Sequence, residues 1–206
     1  MAWLMALTAA ELIDLERKFS PTVVQAPAVF SPLERTRVDA LNAGGDKMAP
    51  DRNGYAEVYA RLLADLDPWT MVELGVFRGE SLAVWCDVFP DTVIYGLDVD
   101  LSRYHEHYQT LRDRGAFRSN YPFVYEFDAY EPDAPELEGL DGIDLFIDDG
   151  PHTADAIENV LRLFGPMMNQ GGVYVVEDFP DGDRLLEAQF PKAHIIRAGR
   201  LNAACL

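Results

Sequence analysis

The chain has 206 residues, 49% of them hydrophobic, enough for one substantial core. Its 35 acidic against 17 basic residues leave a net charge of −18, a field that repels nucleic-acid phosphates and anionic membrane surfaces. Cys86 and Cys205 are too few for a disulfide framework, and the opening MAWLMALTAA is too short to span a bilayer and lacks a signal peptide's basic flank, so a cytoplasmic location is expected.

Thr8 and Glu11 form a capping-box pair, which predicts an amphipathic helix running to about Phe19. Ser20-Pro21 ends it, and a Val-, Ala- and Pro-rich linker leads to Ser31-Pro32-Leu33-Glu34, the start signal of a helix to about Leu41. After a loop over residues 42–47, residues 54–66 place Tyr55, Val58, Tyr59, Leu62 and Leu63 on one helical face.

A βαβ pattern follows. Thr70–Leu74 reads as a strand, Glu80–Phe89 as a helix with Leu82, Trp85, Cys86 and Phe89 on one side, and Thr92–Leu97 as a second strand ending at Asp98. Ser102–Arg114 is helical, with His105 and His107 expected to be plain surface histidines. Phe123–Phe127 is a strand with Asp128 beyond it, and Ile143–Ile147 is another. Asp155–Phe164 is a helix capped by Thr153, and Val173–Val176 is a fifth strand. A short helix (Asp183–Phe190) and two closing strands (His194–Arg197, Asn202–Leu206) complete a doubly wound α/β pattern with a mostly parallel, seven-stranded sheet.

Asp98, Asp128, Asp148-Asp149 and Glu177-Asp178 all fall where an apolar strand ends, which in a parallel sheet is one edge. The loop Glu73–Ser81 is neither a dinucleotide fingerprint nor a triphosphate loop, and its acids suit a ligand with a ribose diol and an ammonium or sulfonium group. So many carboxylates repel one another unless cations lie between them. On this reading Asp98 and Asp128 face a nucleoside, and some of Asp148, Asp149, Glu177 and Asp178 hold a hard divalent cation such as Mg²⁺. His152 serves as general base, with Asp149 or Glu177 fixing its tautomer; a metal ligand and a simple helix-start residue are the alternatives. Tyr55 and Tyr59 lie just before the first strand, where the chain must pass the ligand.

Glu73-Leu74-Gly75-Val76-Phe77-Arg78-Gly79-Glu80-Ser81-Leu82, then Tyr95-Gly96-Leu97-Asp98, Phe146 to Thr153 and Gly171 to Asp178 together resemble class I S-adenosylmethionine-dependent methyltransferases. Within them the chain is similar to the macrocin/mycinamicin O-methyltransferase group and the related cephalosporin-hydroxylase-named family. Gly45-Asp46-Lys47 with Tyr55 and Tyr59 also resembles this group. The resemblance implies a Rossmann-like fold over residues 46–206. Residues 1–45 depart from it, since the large macrolide-sugar members carry a long N-terminal domain there, and they are expected to be a helical appendage that forms a lid or a homo-oligomer contact. The resemblance implies S-adenosylmethionine bound through Glu73, Gly75, Gly79, Ser81, Asp98, Asp128 and Tyr55. Gly75 and Gly79 would let the backbone approach its methionine part. It implies Mg²⁺ on Asp149 and Asp178, catalysis by His152 with Asp149, and a small-molecule hydroxyl acceptor on a sugar or diol of a secondary metabolite. Catechol-type relatives place the ligands at Asp148, Glu177 and Asp178 instead, so Asp148 and Asp149 compete. Pro151 stands where that group has Ser. A metal-independent methyltransferase and a non-catalytic cofactor-binding protein are the alternative readings.

Overall fold

A computed structural model describes residues 7–20, 47–50, 52–133, 135–137, 140 and 142–206. The helix expected from Ser31 lies outside the described residues. Seven strands, β1 (Thr70–Leu74), β2 (Val93–Asp98), β3 (Phe123–Glu126), β4 (Ile143–Asp148), β5 (Met168–Val176), β6 (His194–Ala198) and β7 (Leu201–Cys205), form one sheet in the order β3-β2-β1-β4-β5-β7-β6. β1 to β5 run parallel, and β7 pairs antiparallel to both β5 and β6.

Strand alternation divides the core. Met71, Ile94, Leu145, Ile147, Val173 and Val175 face one layer, whereas Val72, Leu74, Leu97, Phe146, Tyr174 and Val176 face the other. The first layer is covered by α1 (Ala9–Phe19), α2 (Ala56–Leu62), α3 (Glu80–Val88) and α4 (Ser102–Asp113), through Leu12, Phe19, Tyr59, Leu82, Trp85, Tyr104 and Leu111. The second is covered by α5 (Ala154–Phe164) and α6 (Gly182–Gln189), through Ile157, Phe164 and Leu186. Each large side chain of this kind contributes about 1.5–3 kcal/mol by leaving water.

Local signals match these elements. Thr8 and Glu11 form the capping box of α1, and Thr153 accepts from the Ala156 N–H at the start of α5. Asp144, the second residue of β4, takes the N–H groups of Trp69 (2.9 Å) and Thr70 (3.0 Å) and so ties the start of β1 to β4. The chain leaves β1 and β4 toward opposite sides of the sheet, and the crevice between their carboxyl ends is the switch point where such sheets bind ligands. Among the described residues no helix is long and apolar enough to cross a membrane.

Candidate functional site

At that crevice lies a cavity of about 650 Å³. Gly75, Val76 and Phe77 after β1, Asp98 and Val99 after β2, and Phe127 to Tyr130 after β3 line one half. Asp149 to His152 after β4, Glu177 and Asp178 after β5, and Lys47 line the other.

In the first half, Asp98 Oδ2 accepts the Phe77 N–H (2.8 Å) and Oδ1 accepts that of Asp100 (3.1 Å). Each carboxylate oxygen keeps a second lone pair for a ligand hydroxyl. Asp128 Oδ1 takes the Tyr130 N–H at 2.9 Å. Glu73, fully buried at the end of β1, does not reach out of the protein: it accepts from Ser81 Oγ (3.0 Å) and Trp85 Nε1 (3.1 Å) and ties β1 to α3. Gly75 (φ 95°) and Gly79 (φ 85°) occupy left-handed backbone, and each has a packing requirement of its own. A Cβ on Gly75 would meet the Asp149 carbonyl oxygen at 2.1 Å, and one on Gly79 would meet the Tyr104 ring at 2.6 Å.

In the second half, Asp149, His152 and Asp178 each offer a ligand atom within 4.8 Å of the others. His152 Nε2 lies 3.9 Å from Asp149 Oδ1. His152 (φ 55°) and Asp178 (φ 54°) both adopt left-handed backbone, which costs a non-glycine residue about 1–3 kcal/mol and is characteristic of functional sites. Asp148 is not with them. It follows Phe146 on the opposite face, beside the buried Tyr174, and is not among the residues lining the cavity. Burial pushes its carboxyl up to about 7. Glu177 is buried, and its Oε1 accepts from the Tyr59 hydroxyl. The Tyr55 hydroxyl donates to Asp178 Oδ1 at 2.5 Å, beside the cavity that Asp178 lines. Burial and the Asp178 carboxylate hold that phenol well above its usual range, so it stays a donor. Asn53 Nδ2 adds a bond to Asp178 Oδ2 at 3.3 Å.

Lys47 belongs to the Gly45-Asp46-Lys47 stretch that carries part of the resemblance, but no role was expected of it. Its ammonium lies 3.0 Å from Glu73, 3.1 Å from Glu177 and 3.3 Å from Asp149, with only 8% of the side chain exposed. Burial opposes the charge, but Glu177, Asp149 and Glu73 together outweigh it and hold the ammonium protonated far above neutral pH. Burial likewise raises Asp149 and Glu177, against the pull of Lys47. Beside that resemblance, the count of acids at one edge was a signal, since it required a cation between them.

One expectation is corrected. His107 is not a plain surface histidine, for it shares the α4 face of Tyr104 and Leu111, at spacings of three and four residues. Its side chain is 12% exposed, with Nε2 3.7 Å from Glu80 Oε1. Burial, then the positive charges of Arg78 and Arg114, lower its pKa. His105 is exposed as expected.

Residues 72–179 match the family described as "Methyltransferase domain". Two Streptomyces olivaceus proteins are similar to this chain. The 8-demethyl-8-alpha-L-rhamnosyl tetracenomycin-C 2'-O-methyltransferase is 31% identical over 68% of this chain and 36% of its own length. The 8-demethyl-8-(2-methoxy-alpha-L-rhamnosyl)-tetracenomycin-C 3'-O-methyltransferase is 29% identical over 60% and 30%. The chain thus spans about a third of the length of these curated relatives. Among solved structures, the MycE methyltransferase of the mycinamycin biosynthetic pathway, in complex with Mg and SAH, superposes with a TM-score of 0.57 at 19% identity. That match covers 77% of this chain and 50% of the other, and it shows a shared fold.

Proposed function

This chain belongs to the methyltransferase-domain family, and from that premise we propose that it transfers a methyl group from S-adenosylmethionine to a hydroxyl of a small molecule, with Mg²⁺ as metal. The observation that carries this reading is the meeting, in one cavity, of the Asp98 half and the Asp149–His152–Asp178 half.

The residues suit both groups. A cavity of about 650 Å³ is of small-ligand size; Asp98 retains acceptor capacity for a ribose diol, and Val99, Phe127 and Ala129 offer apolar walls to a purine. Asp149 and Asp178 supply the carboxylate oxygens that a hard divalent ion prefers. When bound, S-adenosylmethionine supplies the electrophilic methyl, and Mg²⁺ supplies acidity to a coordinated acceptor hydroxyl. The chain's own residues do the rest. Asp98, with the Gly75–Phe77 backbone, orients the nucleoside. His152, whose Nε2 lies 3.9 Å from Asp149 Oδ1, takes the acceptor's proton. Tyr55 and Asn53 hold the Asp178 carboxylate in one orientation.

The acceptor we assign is a sugar or diol hydroxyl of a secondary metabolite. The two Streptomyces relatives are named for methylating a rhamnosyl group, and the field of a −18 chain favours neutral or cationic acceptors over nucleotide-linked sugars. The test is release of S-adenosylhomocysteine with a panel of neutral glycosides. Turnover is expected with Mg²⁺ and not in excess chelator. It should also vanish in His152→Ala, while calorimetry still shows S-adenosylhomocysteine binding. Undiminished turnover in that variant removes the base assignment, and full turnover in chelator removes the metal.

A further inference from the structure

Three carboxylates carried by the ends of three adjacent strands converge on one atom. Glu73 Oε1, Glu177 Oε1 and Asp149 Oδ2 lie 3.0, 3.1 and 3.3 Å from Lys47 Nζ. Oxygen donors from several acids closing on one point are what a hard divalent cation takes. The acids do not depend on the lysine alone for their placement: Ser81 and Trp85 hold Glu73, and Tyr59 holds Glu177. Glu177 Oε2 is buried and has no hydrogen-bond partner among the described residues. The ammonium is delivered by a fixed stretch of backbone, because Glu16 of α1 accepts the N–H groups of Met48 (2.8 Å) and Ala49 (3.1 Å), and the Lys47 carbonyl accepts that of Tyr55 (3.0 Å).

We propose that the Lys47 ammonium stands in the place of a second metal ion, so that the centre holds one divalent cation and one built-in organic cation, with Asp149 shared between them. Asp149 Oδ2 faces the ammonium, while Oδ1 is turned toward His152. Lys47 is on this account a positioning residue: it fixes Asp149 and occupies the place where another ion would compete. The identity of the first ion rests on the Asp149–Asp178 reading above, but the cage around Lys47 does not.

The test counts bound Mn²⁺ by electron paramagnetic resonance at fixed pH, in wild type, Lys47→Ala and Lys47→Arg. One ion per chain is expected in wild type and in Lys47→Arg, and two in Lys47→Ala, where an ion and its waters replace the side chain. No ion in wild type but one in Lys47→Ala would remove the Asp149–Asp178 metal and still support the cage. A folded Lys47→Ala that binds no more Mn²⁺ than wild type overturns the proposal, as does a second ion in Lys47→Arg. Should Lys47→Ala be unfolded when metal-free, refolding in Mn²⁺ but not in chelator is expected, and failure in both overturns it.

Discussion

Gly75 couples the two halves of the crevice, and a single methyl group there measures how tightly. An alanine Cβ at this position would lie 2.1 Å from the Asp149 carbonyl oxygen and 2.7 Å from its carbon, both of them backbone atoms that cannot swing aside. The φ of 95° adds left-handed strain of about 1–2 kcal/mol for a residue with a side chain. Overpacking adds about 1–3 kcal/mol, so Gly75→Ala should lose roughly 2–5 kcal/mol, a large share of a typical domain's stability. Gly171 supplies the control: its φ is 87°, yet a Cβ there meets nothing within 4 Å, so Gly171→Ala should lose only the strain, about 1–2 kcal/mol. Urea unfolding of both variants isolates the contact as their difference. Calorimetric titration with Mg²⁺ should show weaker binding in Gly75→Ala alone, because Asp149 must shift. Equal stability losses in the two variants would refute the reasoning.

Tyr55→Phe removes the phenol from Asp178 while keeping the ring in the core, so Mg²⁺ affinity by calorimetry should fall about tenfold with little change in thermal midpoint. Unaltered affinity would show that Asp178 needs no such support. Asp148 carries a pH signature: burial raises its carboxyl from 3.8 to about 7, so the folded chain holds a proton that the unfolded chain releases. Its cost is absent below pH 4, grows as pH rises toward 7, and reaches roughly 4 kcal/mol above that. Asp148→Asn should therefore be the more stable protein at pH 8 and equal to wild type near pH 4, in unfolding measured with chelator present. An advantage that grew toward acid pH would contradict this.

The elements were legible because each carries a local cause. The Thr8–Glu11 box starts α1, Thr153 starts α5, and Phe89-Pro90 closes α3; these are short-range signals that tertiary packing did not override. The strand-end acids were legible as a set, since parallel strands bring their carboxyl ends together. Separating Asp148 from Asp149 needed only the period of two: Leu145 and Ile147 face one layer, Phe146 the other, and Asp148 follows Phe146. That alternation was present in the sequence, and the family comparison obscured it. Lys47 was legible only as part of the Gly45-Asp46-Lys47 resemblance, without a role. Its burial depends on Glu16, 31 positions earlier, and on three strand ends that only the folded chain brings together. His107 was misread because the contrast between His105 and His107 depends on which α4 face meets α3.

The proposed function requires cofactor and metal to meet at one crevice, with Asp98 on one side and Asp149 and Asp178 on the other. The most direct test is a crystal grown with S-adenosylhomocysteine and Mn²⁺, read by anomalous difference density. A ribose on Asp98 and one Mn²⁺ peak between Asp149 and Asp178, beside His152, are expected. A Mn²⁺ peak on Asp148, or no peak with the nucleoside bound, would contradict the proposed function.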